Sequence, residues 1–464
     1  MEIRAGATSQ DMVENRTFDE IAAGDSAVLR RTLVQQDIDL LAVISGGSSG
    51  GEGASAGPIV AGLVSLLVAT DLPGPGGVTL AQELVFQGPV AAGDALVLTL
   101  AVTGRVAETR ELVLSCDCRT EAGRAVASGT LRVRAPDEKI RRPRVELPDI
   151  RMSRHERFRA LMAEAASSAP PVAAVAHPCS APAIAAAVEA ADAGIVVPIL
   201  IGPQRKIEQA AREAGVALDR FRLIDAPHSH AAAEEAVALV RRGEASLLMK
   251  GSLHTDELLH AVLDRSKGLR TERRLSHVYL MDVPGHPRPL LVTDAAVNIA
   301  PDLAIKRDII QNAIDLAHAM GIALPKVAIL SAVETINPKL ASTLDAAALC
   351  KMADRGQITG GLVDGPLAFD NAVSVEAARE KGIVSPVAGE ADILVVPDLE
   401  AGNILAKQLT FLAGADAAGV VLGARVPIIL TSRADAERTR LASCAVAAKL
   451  ARVRLAAAGG EAGA

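Results

Sequence analysis

Aromatic residues are scarce in this sequence. Its 464 residues include no tryptophan, one tyrosine and six phenylalanines, so aromatic side chains make up 2% of the chain. Proteins that bind single-stranded nucleic acids stack the bases on aromatic side chains, and few are available here. The formal net charge of −7 also opposes binding to a phosphate backbone. We therefore expect no nucleic-acid partner.

Paired cysteines and long apolar segments are absent as well. The five cysteines are scattered along the chain without a CxxC pair, which predicts reduced thiols and no metal site. Cys116 and Cys118 are spaced to share one face of a strand as small core residues. No apolar run reaches the roughly 18 residues that span a bilayer, and the first residues are too charged for a signal peptide. These features predict a soluble, cytoplasmic protein that does not bind membranes.

The sequence is long enough for two or three domains, and its first third predicts a β-rich module. The continuously apolar segment Pro58–Thr70 predicts a helix buried on all sides. β-Branched runs separated by turn residues predict four strands. These are Val78–Phe86, Ala95–Thr103, Glu108–Cys118 and Arg124–Val133. A sheet that wraps one apolar helix accounts for this order of elements.

Three segments of this module carry a family pattern. They are ENRTFDEIAAGD (Glu14–Asp25), LPGPG (Leu72–Gly76) and LVFQGPVAAGDAL (Leu84–Leu96). Together they resemble the MaoC-type hot-dog domain of the R-specific enoyl-CoA hydratases. The resemblance implies an α+β hot-dog domain, which we place at residues 1–136.

The module departs from that family at the catalytic position. The resemblance implies that such hydratases activate water with an Asp and a His placed just before the central helix. The corresponding segment here is the Gly/Ser-rich run Ser45–Gly57, which is typical of a loop, and the first histidine of the chain is His155. A histidine-dependent hydratase site cannot be built from residues 1–136. We predict a folded, catalytically silent module that serves assembly or acyl-CoA binding.

A charged segment separates this module from the rest of the chain. Residues 137–160 are dense in charges of both signs and show little apolar periodicity, which predicts an exposed linker. Residues 161–464 then alternate short apolar runs with helical stretches. This alternation is typical of a mostly parallel sheet with helices on both faces. An antiparallel insertion is predicted for Leu275–Asp282 and Arg288–Asp294.

Polar residues cluster where the predicted strands of this second region end, and ligands of such sheets bind beyond those ends. The segment Thr431–Asp435 lies between an apolar strand and a helix, where free N–H groups and the helix dipole suit a phosphate. An ordinary helix cap by Ser432 or Asp435 is the alternative. Four further clusters occupy similar positions, which predicts a single cleft. They are Lys250-Gly251-Ser252 with Thr255, Thr293-Asp294 with Asn298, Asp364-Gly365-Pro366 with Asp370, and Gly402-Asn403.

A second family pattern extends in order over residues 160–455. Its segments are Ile201–Pro203 (IGP), Lys250-Gly251 with Thr255, Leu291–Leu303 (LVTDAAVNIAPDL), Val363–Ala372 (VDGPLAFDNA), Asp392–Lys407 (DILVVPDLEAGNILAK) and Thr431–Asp435 (TSRAD). They resemble the phosphate acetyltransferase/phosphate butyryltransferase family. The resemblance implies an α/β fold of two subdomains with a mostly parallel sheet, related to isocitrate and isopropylmalate dehydrogenases. It also implies reversible acyl transfer between coenzyme A and inorganic phosphate, and assembly into dimers or higher oligomers.

The same resemblance implies the site residues. The implied catalytic residues are Ser432, Arg433 and Asp435, and the identity of the base stays open between Asp435 and other carboxylates such as Asp294. A carboxylate can accept the CoA thiol proton, Ser432 can donate to the developing oxyanion, and the Arg433 fork matches a phosphate. The implied substrate-binding residues are Lys250, Gly251, Thr255, Asp294, Asn298, Asp364, Gly365 and Asn403. The substrates are acyl-CoA and inorganic phosphate, and no metal or resident cofactor is required.

Three histidines near these segments are interpreted as structural or solvated. His228, His230 and His254 have no carboxylate or cysteine partner at ligand spacing. His260 stands where many acetyltransferases of the family carry an arginine. It is either a residue of a helix surface or a different contact for phosphate.

Two other classes of function stay open. An oxidoreductase on the related dehydrogenase fold would need metal-binding aspartates and a nicotinamide fingerprint, and neither is clear in the sequence. A non-catalytic acyl-CoA-binding or scaffold protein is the other alternative, and the intact Ser432-Arg433 pair argues against it. We favour a phosphotransacylase that carries a silent hot-dog module.

Overall fold

The computed structural model describes residues 12–44, 56–143, 156–430 and 436–461. The chain divides into two units, Met1–Met152 and Ser153–Ala464. The Gly/Ser-rich run Ser45–Gly57 lies almost entirely outside the described residues, as do residues 144–155 of the predicted linker. Within the described residues, no helix is long and apolar enough to cross a bilayer, and no side-chain cluster could hold a metal ion.

The first unit is built on an antiparallel sheet. Its elements are β1 (Met12–Glu14), β2 (Ser26–Thr32), α1 (Gln35–Ile44), α2 (Ala56–Thr70), β3 (Val78–Phe86), β4 (Ala95–Val106), β5 (Glu111–Thr120), β6 (Ala125–Arg134) and β7 (Arg141–Pro143). Five strands form the sheet in the order β2-β4-β5-β6-β3, and β1 pairs separately with β7. The four predicted strands are therefore all present, in one sheet.

Helix α2 packs one apolar face into this sheet. Val60, Val64 and Leu67 are at most 1% exposed and join a core with the inward residues of β4, β5 and β6. The prediction that this helix is buried on all sides is wrong for one face, where Leu66 is 43% exposed, because the sheet covers only the opposite side. A sheet against one long helix is the hot-dog fold that the sequence predicts.

Strand β5 carries two of the cysteines in this core. Cys116 and Cys118 are buried on one face of the strand, as their spacing predicts. Burial raises the pKa of the Cys116 thiol to about 12 and that of Cys118 to about 11. Both thiols are therefore protonated at neutral pH and act as small apolar core residues.

The start of the predicted linker belongs to the first unit. Strand β7 pairs antiparallel with β1, and the Asn15 side chain donates to the Glu138 carbonyl at 2.8 Å and accepts from the Ile140 amide at 2.9 Å. These residues are not a free connection, because β1 and Asn15 supply their backbone groups with hydrogen-bond partners. The end of the predicted linker is helical, since a helix begins at Glu156 and buries Phe158.

The second unit contains the rest of the helices and strands. They are α3 (Glu156–Ala166), β8 (Val172–Ala176), α4 (Ala181–Asp192), β9 (Val197–Gly202), α5 (Gln204–Ala214), β10 (Arg222–Asp225), α6 (Ser229–Arg241), β11 (Leu247–Lys250), α7 (Thr255–Leu263), β12 (Ser276–Asp282), β13 (Leu290–Thr293), α8 (Leu303–Ala319), β14 (Lys326–Leu330), α9 (Ala341–Asp354), β15 (Leu362–Leu367), α10 (Phe369–Val373), α11 (Val375–Glu380), β16 (Ile393–Val395), α12 (Leu399–Phe411), β17 (Asp416–Leu422), β18 (Ile428–Ile429) and α13 (Glu437–Glu461).

These strands form one sheet of eleven, in the order β10-β9-β8-β11-β18-β17-β12-β13-β16-β14-β15. Neighbours are parallel except around β17 and β12, where three successive pairs are antiparallel. The predicted antiparallel pairing of β12 with β13 is among them. Because three reversals separate β18 from β13, the parallel strands of the two halves run in opposite directions.

The packing around this sheet defines two subdomains. On one face a single core runs under both halves and includes residues of α4, α8 and α13. On the other face the core is divided: one part holds residues of α6 and α7, and another holds residues of α10 and α12. We call the part with α6 and α7 the first-half core. Strand β17 contributes Val421 to that core and Ala417 to the other, so the division falls at this strand.

Candidate functional site

The predicted catalytic residues Ser432, Arg433 and Asp435 lie outside the described residues. Their neighbours fix where the segment starts and ends. Strand β18 ends at Ile429 and α13 begins at Glu437. Ile429 is paired in parallel with Met249 of β11, so the chain leaves the sheet beside Lys250, the last residue of that strand.

The turn after β11, residues Lys250–Thr255, is here called the Lys250 turn. It is held tightly against the end of β8. The Gly251 amide donates to the Ala176 carbonyl at 2.9 Å. A Cβ atom on Gly251 would lie 2.5 Å from the carbonyl oxygens of both Ala176 and His177, so only glycine fits this close approach. The Lys250 ammonium is half-buried and donates to the carbonyls of Gly251 and Leu253.

Ser252 and His177 join the two strand ends through side chains. The Ser252 hydroxyl donates to the His177 carbonyl at 2.8 Å and accepts from the Cys179 amide at 3.1 Å. It also lies 3.3 Å from Nδ1 of His177. Burial, and then the charge of Lys206, lower the pKa of His177, while Glu257 opposes them. This half-buried imidazole is a polar group of the site that the sequence did not single out.

The backbone at His177 is unusual. Its φ is +55°, a conformation that costs about 1–2 kcal/mol for a residue with a side chain. Such conformations persist where surrounding contacts over-determine them, and they concentrate at functional sites. The contacts here come from Gly251, Ser252 and Gly202. The signal in the sequence was His-Pro-Cys-Ser directly after the β8 strand, a polar strand end like the five that were singled out.

Helix α7 starts at Thr255, whose hydroxyl is exposed and makes no hydrogen bond to the residues that the structure describes. His254 and Glu257 cap the helix, and the Glu257 carboxylate accepts from the His254 amide at 3.2 Å. A carboxylate therefore already neutralises part of the positive helix end. His254 has the structural role that was predicted, and His228 likewise caps α6 by accepting from the Ala231 amide.

A second turn follows β13. Residues Asp294–Asn298 are here called the Asp294 turn. The Asp294 carboxylate is 2% exposed and accepts four hydrogen bonds. The donors are the amides of Ala296, Val297 and Asn298 and the side-chain amide of Asn298. A carboxylate has about four acceptor positions, so none is left for a ligand. Asp294 braces its own turn.

Two residues of α12 and one of β12 enclose the Asp294 turn. The Asn403 side chain donates to the Ala295 carbonyl at 3.3 Å, and a Cβ on Gly402 would lie 2.8 Å from the Asp294 carbonyl. Burial lowers the pKa of the His277 imidazole to about 4, so His277 is neutral at physiological pH. The charge of Asp294, which lies nearby, raises the pKa of His277 against this larger effect.

The strand registers place the ends of β11 and β13 at nearly the same height in the sheet. The pairs that fix this are Leu248–Ile428, Ile428–Val421, Val421–His277 and Val278–Thr293. Four strand spacings, or about 19 Å, separate β11 from β13. The two turns therefore cannot share one small ligand group at their strand ends.

The Asp294 turn leads back towards the first half of the sheet. The Asn298 side chain donates to the Leu275 carbonyl at 2.8 Å, just before β12, and Val297 packs against the first-half core. Leu253 of the Lys250 turn and Leu430 pack against the same core. Three segments thus share one apolar support: the Lys250 turn, the Asp294 turn and the residue next to Thr431.

The remaining predicted residues lie apart from this group. Asp364 and Gly365 were expected at a strand end, but they lie inside β15, the edge strand at the second-half end of the sheet. The Gly365 amide donates to the Asp364 carboxylate at 2.9 Å. Gly402 and Asn403 lie in the first turn of α12 and join the Asp294 turn. The sequence predicted a single cleft from five clusters. Among the described residues, the structure brings together the Lys250 turn and the Asp294 turn, which both pack against the first-half core.

Solved structures define the class of protein. A branched-chain phosphotransacylase from Enterococcus faecalis V583 superposes with a TM-score of 0.54 at 32% sequence identity, over 61% of this chain and 99% of that chain. A phosphotransacetylase from Streptococcus pyogenes shares the fold, with a TM-score of 0.55 at 22% identity, over 65% of this chain and all of that chain. The second unit thus has the phosphotransacylase fold.

Sequence relatives define the family. The model of the phosphate acetyl/butaryl transferase family matches residues 229–448. A phosphate acetyltransferase from Rhizobium meliloti is 65% identical over 297 residues, which cover 64% of this chain and 94% of that protein. A phosphate butyryltransferase from Clostridium acetobutylicum is 44% identical over 270 residues, 58% of this chain and 90% of that protein. The chain belongs to the phosphate acetyl/butyryltransferase family.

Proposed function

We propose that this protein is a phosphotransacylase that transfers a short acyl group reversibly between coenzyme A and inorganic phosphate. The observation that carries the proposal is the 65% identity to a phosphate acetyltransferase over nearly its whole length. Because identity to the butyryltransferase is lower, we expect acetyl-CoA to be a better substrate than butyryl-CoA.

Ser432, Arg433 and Asp435 carry the chemistry in this proposal. A CoA thiol with a pKa near 8.5 is only a few per cent thiolate at neutral pH, so its attack on an acyl phosphate needs a base. Ser432 donates to the oxyanion of the tetrahedral intermediate, and Arg433 holds the leaving phosphate with two parallel hydrogen bonds. The two carboxylates left open by the sequence are no longer equivalent, since all acceptor positions of Asp294 are occupied. This favours Asp435 as the base.

The Lys250 turn supplies substrate contacts in this proposal. Lys250 brings a cation to the strand end beside β18, and Thr255 offers an exposed hydroxyl at the start of α7. The Asp294 turn, with Asn298 and Asn403, shapes the opposite side of the site through the first-half core. Asp364 and Gly365 lie in β15, seven strands from β11 in the sheet, so this proposal gives them no contact with the ligand groups held at the Lys250 turn.

Other properties complete the proposal. The reaction transfers an acyl group without net oxidation, so acyl-CoA and phosphate suffice and no metal or resident cofactor is needed. The chain acts in the cytoplasm, with no nucleic-acid or membrane partner. It assembles into a homo-oligomer, and apolar residues on the outer face of α12 and just after it support this: Ile404 is 65% exposed, Phe411 81% and Leu412 81%.

The hot-dog module serves assembly or acyl-CoA binding in this proposal, without hydratase activity. Residues 1–152 contain no histidine, so the unit lacks the residue on which the hydratase site depends. Hydration of crotonyl-CoA by the full chain should not exceed the uncatalysed background. Turnover that persists in an Arg433→Ala variant would assign a second activity to this module.

Phosphate-dependent release of free thiol from acetyl-CoA, propionyl-CoA and butyryl-CoA tests the main proposal. We expect release with acetyl-CoA, and a loss of at least about tenfold in kcat/KM for phosphate in Arg433→Ala, because a charge-assisted bidentate contact is removed. Arg433→Lys retains the charge without the fork and should fall between the two. Absence of release with all three thioesters would refute the proposal, and normal kinetics in Arg433→Ala would remove this residue from it.

A further inference from the structure

A pocket of 390 Å³ lies at the far end of α13 from the segment Thr431–Asp435. Three arginines line it, one each from the loop before β12, the loop after β17, and α13. The lining is Thr271, Glu272, Arg273, Asn312, Asp315, Gly423, Ala424, Arg425 and Arg454. Arg454 follows Glu437 by nearly five helical turns, or about 25 Å, so this pocket is separate from the proposed catalytic segment.

Arg454 is half-buried in this pocket and poorly satisfied. Its Nη1 donates to the Ala424 carbonyl at 3.2 Å, and this is its one hydrogen bond to the residues that the structure describes. A guanidinium has five N–H donors and stays charged in proteins. Burial lowers the pKa of Arg454. The charge of Asp315 opposes this effect, and the charge of Arg273 adds a smaller lowering. A desolvated charge of this kind normally has an acidic partner.

Asp315 acts on Arg454 through its charge, but it does not form an ion pair with Arg454. The Asp315 carboxylate forms an ion pair with Arg273 and accepts from the Gln311 side chain. Arg454 has no carboxylate within ion-pair distance among the described residues, and neither has Arg425, whose side chain is exposed. Glu272 also lines the pocket and is exposed. The lining holds three arginines and two carboxylates, so it carries one net positive charge in a chain of net charge −7.

We propose that this pocket binds a small multivalent anion, a polycarboxylate or a phosphate ester, whose acidic groups contact Arg454 and Arg425. Arginine forks match carboxylate and phosphate groups alike, which is why the two chemistries are proposed together. The volume is at the small end of ligand sites, so the pocket takes a small metabolite and is too small for coenzyme A. Helix α13 leads from this site directly to the proposed catalytic segment.

Calorimetric titration of the full chain with citrate, pyrophosphate and inorganic phosphate tests the site. We expect at least one of the three anions to bind to the unmodified protein, and its Kd to rise about tenfold or more in Arg454→Gln. Arg425→Gln should weaken the binding of the same anion. Because the Arg425 side chain is exposed, this variant should stay folded even if Arg454→Gln does not. Arg220→Gln is the matched control, since Arg220 is an exposed arginine that pairs with Asp192 elsewhere.

Two results would overturn the proposal. One is that none of the three anions binds, or that each binds Arg454→Gln and Arg425→Gln as tightly as the unmodified protein. The other is that every anion weakened by Arg454→Gln also fails to bind Arg433→Ala, because those anions would then occupy the proposed catalytic segment. Persistence of binding in Arg433→Ala, together with its loss in Arg425→Gln, supports a separate site.

Discussion

The Lys250 turn keeps its polar groups near solvent, whereas the Asp294 turn buries its carboxylate. Lys250 is half-buried and Thr255 is exposed, while Asp294 is 2% exposed with every acceptor position occupied. Both turns follow a buried strand and carry a charge and a small polar residue. The difference separates two kinds of polar strand end. The Asp294 carboxylate has no acceptor position left and braces its turn, whereas the Lys250 turn has an exposed hydroxyl at Thr255, which suits the substrate contacts that we propose.

The largest effect expected from this contrast is on stability, at Asp294. Asp294→Ala leaves four donors without their acceptor, at about 1 kcal/mol each, so unfolding should become easier by about 4 kcal/mol. Because the chain has no tryptophan, urea unfolding is best followed by far-UV circular dichroism. Asp302→Ala is the control and should cost about 1 kcal/mol, since the Asp302 carboxylate accepts one hydrogen bond from the described residues, from the Ile305 amide at the start of α8. Equal losses in both variants would contradict a special bracing role for Asp294.

The next largest effect is a dependence of stability on pH, which arises at His277 beside the Asp294 turn. Its pKa in the folded chain is about 4, below its ordinary value of 6.5, so the unfolded chain takes up the proton first as pH falls. The contribution of His277 to the free energy of unfolding is fully present above pH 6.5. As pH falls towards 4, the free energy of unfolding decreases by about 1.4 kcal/mol per pH unit, or about 3 kcal/mol in all.

Unfolding midpoints measured from pH 7 to pH 4.5 check this dependence. His277→Gln cannot be protonated, so the midpoint should fall less steeply with pH than in the unmodified protein. His260→Gln changes an exposed imidazole of α7 that makes no ion pair with the described residues, and it should leave the slope unchanged. A His277→Gln profile as steep as that of the unmodified protein would show that another group titrates.

A smaller loss of stability, about 2 kcal/mol, is expected from Gly251→Ala in the Lys250 turn. The added Cβ would meet two carbonyl oxygens at 2.5 Å, and overpacking of this kind costs about 1–3 kcal/mol. Thiol release should fall as well, since the turn must move. Gly62→Ala in α2 is the matched control, because nothing lies within 4 Å of its added Cβ and the change should stabilise the helix slightly. An intact, fully active Gly251→Ala variant would mean that the turn is not rigid.

The smallest effect is expected from Lys250→Ala, and it should appear in catalysis rather than in stability. Loss of the cation should lower kcat/KM for phosphate about tenfold, or about 1.4 kcal/mol, while the unfolding midpoint changes little. Lys407→Ala removes an exposed lysine of α12 and should leave both measurements unchanged. If Lys250→Ala instead destabilises the chain at normal activity, both turns are braces and the contrast between them fails.

The fold was largely predictable because apolar runs mark the strands wherever both faces of the sheet are covered. The continuation of β15 through Asp364, Gly365 and Pro366 was not predicted, since these residues resemble a turn. A strand at the edge of a sheet tolerates proline because one side of its backbone needs no partner. The pairing of β7 with β1 was missed for another reason: it joins two short segments from opposite ends of the first unit.

The candidate site was predictable only in part. The strand ends that carry Lys250 and Asp294 follow from the pattern of apolar runs, and so does the connection between β18 and α13. The saturation of Asp294 does not, because it depends on three amides that fold back onto one side chain. His177 was also missed, since only the tertiary contact with Ser252 brings its imidazole to the Lys250 turn.

The position of β18 affects how the protein is made. This two-residue strand fills the place between β11 and β17, although the entire second half of the sheet lies between β11 and β18 in the chain. During synthesis from the N-terminus, the edge of β11 that pairs with β18 stays unpaired until β18 has been synthesised. The same insertion brings the residues that precede Thr431 into place. We therefore expect activity to appear only after β18 has paired with β11 and β17, because the proposed catalytic segment follows β18 directly.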